Sequence, residues 1–182
     1  LCLENVPATI QETRRKFRQI RDFPRVDSLI NISEMNDAAA YPLMRAAIAQ
    51  ARKSRSEGGI PIGAALARAG ELIAVGHNKR VQDNDPVTHA EIDCLRNAGR
   101  LGSFHDTVLY STLMPCYFCA GAVVQFGIKK VIVGESRNFA GAPDFMRSHG
   151  VEVVDVDLAE CVEMMRAFIA EHPQLWNEDI GR

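Results

Sequence analysis

No stretch of this chain carries the roughly 20 consecutive apolar residues that a membrane-spanning helix needs, so no partnership with a membrane is expected. The residues given open with no charged-then-apolar leader of the secretory kind. Charge of one sign is also lacking: 21 Lys and Arg stand against 23 Asp and Glu, for a formal net charge of −2. With a pI near 6.2, the chain has no global basic surplus to draw in a phosphate backbone. Nucleic acid is therefore not the expected partner, and a small neutral substrate is. Disulfide chemistry is equally poorly served. Five cysteines, at positions 2, 94, 116, 119 and 161, are an odd and sparse set for a bridged framework. A reducing, cytoplasmic compartment is the expectation. Internal repeats and low-complexity tracts are missing too, which sets aside solenoids and disordered linkers.

What is present is ordinary globular composition, 47% hydrophobic and 24% charged, enough for one domain with a sizeable core. Residues 1–37 stand apart as an extension, partly helical, with a basic stretch of Arg14, Arg15, Lys16, Arg18 and Arg21. Ile10, Phe17 and Ile20 there fall at helix-like spacing, which fits a helix laid on the domain or on a partner subunit better than the alternative, a membrane or RNA contact. Residues 38–182 read as the main domain. Leu43, Met44, Ala47, Ile48 and Ala51 predict a helix over 41–55, ended by Gly58 and Gly59. Strands are predicted over 61–67 and 71–77, joined by a tight turn at Ala69 and Gly70. A helix beginning near Thr88 follows, then a strand over 107–112 and a helix over 115–126 closed by Gly127. A strand over 131–134, a loop running to Gly150, a strand over 151–156 and a helix over 158–171 complete the pattern. Strands alternating with helices after an opening hairpin predict an α/β fold, a three-layer α/β/α sandwich around a mixed five-stranded sheet.

Two short motifs carry the chemistry. His89-Ala90-Glu91 lies 26 residues before Pro115-Cys116-Tyr117-Phe118-Cys119. Either alone is weak, since a lone Cys-x-x-Cys also serves as a redox pair. In this order, each at a helix start, they match the signature of the zinc deaminases, H-x-E followed by P-C-x-x-C. Pro115 is expected at the first helical position, where its missing N–H costs nothing. Cys116 and Cys119 would share one face of the first turn, where unpaired N–H groups favour thiolates. His89 and Glu91, about 200° apart around a helix, can still flank a metal set off the helix end. His89, Cys116 and Cys119 are thus the candidate ligands of one zinc ion per chain, and Glu91 the proton carrier. Three protein ligands leave a position open, which is the catalytic arrangement rather than the structural one. Cys94 and Cys161 read as core residues. A thioredoxin-like role for Cys116 and Cys119 would leave His89-Ala90-Glu91 without a purpose.

Further stretches resemble the fungal-type cytosine deaminases of the cytidine-deaminase-like superfamily. They are Gly59-Ile60-Pro61-Ile62-Gly63, Gly76-His77-Asn78, Thr88-His89-Ala90-Glu91, Asn138-Phe139 and the tail from Pro173 through Trp176-Asn177-Glu178-Asp179-Ile180-Gly181. The resemblance implies hydrolysis of free cytosine to uracil and ammonia, zinc-bound hydroxide attacking C4 while Glu91 shuttles protons. It also implies that Asn78 and the backbone N–H of Ala90 bind the pyrimidine edge and that Asp179 faces the exocyclic group. Phe139, Trp176 and Ile180 would cover the base, Ile62 would line the floor, and the chain would form a homodimer. Two positions depart from the pattern: Ala90 stands where relatives carry Gly, and Met114 replaces a small polar residue. A deaminase of guanine or another free base shares the zinc machinery, as does a tRNA adenosine deaminase. A structural zinc module would need a fourth protein ligand, and none sits at plausible spacing.

Overall fold

The computed structural model describes residues 42–182; the extension expected over 1–37 lies outside the described residues. The chain runs α1 (Pro42–Ser56), β1 (Gly63–Arg68), β2 (Glu71–His77), α2 (Ala90–Ala98), β3 (Thr107–Ser111) and α3 (Tyr117–Phe126). It continues through β4 (Lys130–Val133), α4 (Pro143–Ser148), β5 (Glu152–Asp155), α5 (Ala159–Glu171) and α6 (Pro173–Asp179). The strands form one mixed sheet in the order β2-β1-β3-β4-β5. β1 pairs antiparallel with both β2 and β3, whereas β3, β4 and β5 run parallel. The predicted mixed five-stranded sheet is therefore the one observed.

Alternation along the strands divides the core in two. Ala64, Leu66, Leu109, Val131 and Val133 face one layer, shared with Cys94 of α2, Val123 of α3 and Met146 of α4. Ala65, Ala67, Tyr110 and Ile132 face the other, against Met44, Ala47 and Ile48 of α1 and Cys161 of α5. A period of two on a sheet buried on both faces accounts for these near-continuous apolar strands. The hairpin turn is as expected, with Ala69 and Gly70 both at positive φ (50° and 78°), the geometry that suits the twist of a two-residue hairpin. No helix among the described residues is long and apolar enough to cross a membrane.

Two expectations fail. The loop predicted to run to Gly150 contains α4, and the helix over 158–171 is not the last, since α6 follows it. Both are of six or seven residues, too short to show a helical period in sequence. Each has proline at its first turn, which fits a helix start.

The sheet and α2 approach so closely that one strand position tolerates only hydrogen. A Cβ built on Gly76 would sit 2.2 Å from the backbone N of Cys94 and 2.7 Å from Ala90 O. Gly76→Ala is expected to cost at least the roughly 1–3 kcal/mol of an overpacked core, read as a lower midpoint of chemical denaturation. Because α2 carries both His89 at its cap and Glu91, the same variant should lose zinc affinity.

Candidate active site

Both motifs end up at helix caps. His89 is the N-cap of α2 (φ −71°, ψ 164°), and Cys116 is the N-cap of α3 (φ −68°, ψ 171°). The helices thus begin one residue after each ligand, and Pro115 lies outside α3 rather than at its first position. Cys116 O already accepts the first intrahelical bond, from Ala120 N at 2.8 Å, while Pro115 O accepts from Ala142 N at 2.9 Å. Proline here serves the loop that crosses over the site, not the helix. The His89 ring makes no bond to its own helix, and the Cys116 sulfur bonds in its helix only to Cys119, the other candidate ligand, so both caps face the space between the two helix ends.

The donor atoms converge. His89 Nδ1 lies 3.6 Å from Cys116 Sγ, and one ligand atom from each of His89, Cys116 and Cys119 falls within 4.8 Å of the others. Zinc bond lengths of about 2.3 Å to sulfur and about 2.0–2.1 Å to nitrogen, at a tetrahedral angle, put N and S about 3.6 Å apart. The set fits zinc, and with three ligands it is the open, catalytic kind.

The electrostatics agree. The Cys119 thiol donating toward it, and then the His89 ring, hold the Cys116 sulfur down at about 4 against its burial. Cys119 is pushed well above the ordinary thiol range, as the donor to Cys116 and through burial. Burial works to lower His89, yet the Cys116 sulfur and the carboxylates of Asp179 and Glu91 raise it overall. Metal binding releases such thiol and imidazole protons, so affinity for a dication at this site rises with pH. Burial, and then the charge of Cys116, push the Glu91 carboxyl upward. Glu91 is 4% exposed and accepts a hydrogen bond from Ser111 Oγ at 3.0 Å. The other cysteines behave as core: burial drives Cys94 far above the thiol range and Cys161 up to about 12.

A cavity of about 260 Å³ opens beside these groups, at the small end of the roughly 300–1,000 Å³ usual for ligand sites. Ile62, His89, Glu91, Cys116, Phe139, Trp176, Asp179 and Ile180, all named from the sequence as candidate site residues, line it. Phe139 and Trp176 meet edge to face, with ring centroids 5.8 Å apart. Cys119 is fully buried behind the wall. Asn78 and Ala90, expected on the substrate edge, are fully buried and do not line the cavity. Asn78 Oδ1 accepts from Arg80 N at 3.1 Å, while its Nδ2 is buried with no partner. An orphaned amide donor beside such a site calls for an acceptor.

Three participants escape the sequence reading. Ser111 is the buried partner of Glu91, and nothing marks a serine at a strand end. Glu135, fully buried, accepts from Asn138 N at 3.0 Å and from Asn138 Nδ2 at 3.2 Å, holding the loop that carries Phe139. Arg80 reaches Asp179 Oδ1 at 2.7 Å; its nearness to Asn78 was the one available signal.

A buried carboxyl beside an open N,S,S donor set is an arrangement suited to metal-dependent hydrolysis. The family described as the cytidine and deoxycytidylate deaminase zinc-binding region matches residues 38–135. The chain belongs to that family, and is a zinc-dependent hydrolytic deaminase with zinc as its cofactor. It is 44% identical to a cytosine deaminase of Candida albicans over 141 residues, 76% of this chain and 94% of the relative. It is 36% identical to a tRNA-specific adenosine deaminase of Bacillus subtilis, over 70% of this chain and 87% of the relative. A solved structure from work on tRNA:A34 deaminases superimposes with a TM-score of 0.61 at 29% identity, covering 67% of this chain and 97% of that one.

Proposed function

We propose that this enzyme deaminates free cytosine, adding water and releasing uracil and ammonia, as a step of pyrimidine salvage in the cytoplasm. The observation that carries the reading is the small, roofed cavity. Its roof joins Phe139, from the loop before α4, to Trp176 and Ile180 at the C-terminal end, in a chain that matches a cytosine deaminase over 94% of that relative's length. We assign His89 Nδ1 and the sulfurs of Cys116 and Cys119 as ligands, and residues 38–182 as the deaminase unit. Zinc, when bound there, supplies a Lewis acid that lowers the pKa of water to about 7. Glu91 takes the proton of the attacking water and delivers it to ring N3, which leaves C4 electrophilic. It then takes the second proton, from the hydroxyl added at C4, and gives it to the amine, which leaves as ammonia as the C4–N bond breaks and the carbonyl forms; its burial suits a carboxyl that must hold a proton between steps. Asn78 Nδ2 donates to the ring carbonyl, the backbone N–H of Ala90 assists, and Asp179 accepts from the exocyclic amine. Ile62 forms the floor, and the aromatic roof excludes bulk water.

The quaternary reading is a homodimer through α3. That helix is apolar all round, a pattern that belongs in an interior, yet Tyr117 is 72% and Phe126 46% exposed. A second copy would cover them.

The test is ammonia release from cytosine, cytidine, guanine and adenosine by the zinc-loaded enzyme. Cytosine should exceed cytidine by at least about 10²-fold in kcat/KM, because a ribose at N1 meets the closed roof and forfeits placement in the site. Cytidine equalling cytosine would sink the reading of a closed roof. Guanine or adenosine as the preferred substrate would move the enzyme to another branch of its family.

A further inference from the structure

Arg80 sits in the connection from β2 to α2, two residues beyond Asn78. Its side chain is only 11% exposed, and its guanidinium is spread over three acceptors. Nε donates to Pro86 O at 3.2 Å, Nη1 to Asp179 Oδ1 at 2.7 Å and Nη2 to Glu178 Oε1 at 3.3 Å. Its backbone N–H donates to Asn78 Oδ1. One residue thus touches both side chains, Asn78 and Asp179, that are assigned to polar contacts with the substrate, and the last turn of α6. The two arms differ in weight. Asp179 is 6% exposed, so its pair with Nη1 is desolvated, whereas Glu178 is 70% exposed and its pair is wet. Exposed pairs contribute little, and buried ones are costly to break.

We propose that Arg80 is a positioning residue that latches α6 over the cavity and aims Asp179. The guanidinium occupies Oδ1, which fixes the carboxylate plane and reserves Oδ2 for the exocyclic amine of the substrate. Without Arg80, that buried carboxylate is left facing the His89 ring, with Nε2 at 3.9 Å from Oδ1, and an imidazole that ligates zinc is neutral. Swinging α6 outward into water then becomes the cheaper state, and the roof residues Trp176 and Ile180 leave with it. The planar fork matters as well as the charge, because a lysine ammonium cannot span Pro86 O, Asp179 and Glu178 at once. The substrate half of this proposal rests on the cytosine reading; the latch half does not.

The sequence supplies its own reporter. Trp176 is the single tryptophan, it lies in the lid, and it is 5% exposed. In the full zinc-loaded chain, Arg80→Gln should raise acrylamide quenching of Trp176 several-fold and raise KM for cytosine more than it lowers kcat. Total loss in kcat/KM should reach up to about 10²-fold, the scale of a misplaced substrate group. Arg80→Lys should fall between, while Glu178→Gln should leave quenching unchanged. A residue that only stabilised the fold would lower the melting temperature in both Arg80 variants and leave quenching and KM where they were. Unchanged quenching in Arg80→Gln overturns the latch whatever the activity. Should that variant fail to fold, Arg80→Lys decides by the same measurement. Raised quenching in an enzyme that ignores cytosine keeps the latch and removes the substrate reading instead.

Discussion

Replacing Glu91 by Gln is expected to lower kcat by at least about 10²–10⁴-fold, the usual contribution of a positioned acid or base. At about 1.4 kcal/mol per tenfold, that is roughly 3–5 kcal/mol of transition-state stabilisation. The loss should lie at the upper end, since one carboxylate serves the water, the ring nitrogen and the leaving amine in turn. Glutamine matches the shape and can still receive the hydrogen bond that Ser111 Oγ gives to Oε1, so fold and cavity should persist. Zinc content should persist as well, because Glu91 is not among the three converging donors. Metal analysis alongside steady-state kinetics separates the outcomes. Near-normal turnover in zinc-replete Glu91→Gln would assign the proton work to another residue.

The second large effect is loss of the metal itself. Cys119→Ser should abolish stoichiometric zinc and activity together, where the parent chain carries one zinc. A buried thiolate is exchanged for a hydroxyl that does not ionise near neutrality, so both a soft donor and a negative charge are removed. Cys116→Ser should do the same, and it also removes the sulfur whose hydrogen bonds involve both Cys119 and His89. Cys161→Ser serves as the control, since its thiol is buried in the other layer of the core and remains protonated. Full zinc content in Cys119→Ser would show that the metal sits elsewhere.

Most of this architecture is legible from the chain. The opening helix, the hairpin with its Ala69-Gly70 turn, and the Gly127 helix stop each carry a strong local signal, whether a long period, a required positive φ or a cap. The zinc motif is legible because metal chemistry restricts residue types and spacing together. What the sequence hides is long-range or short. α4 and α6 are too brief to show a period. The partners Arg80 and Asp179, 99 residues apart, meet only once the sheet is built. Ser111 and Glu135 are ordinary polar residues whose importance lies entirely in what surrounds them. Pro115 lies outside the helix against its local preference, because the loop that needs its carbonyl is formed by residues far along the chain.

The placement of ligands at helix caps reaches beyond catalysis. Cys94, Cys116, Cys119 and Cys161 are free thiols, so no covalent bridge among them ties the chain to itself. Zinc fastening the start of α2 to the start of α3 closes a loop between positions 27 residues apart. Closing a loop of that size removes entropy from the unfolded chain in the way a disulfide does. The metal therefore acts as the molecule's missing rivet. A chelator would do more than silence the enzyme: the first turns of two helices would be free to fray, and the cavity wall would come apart from the inside.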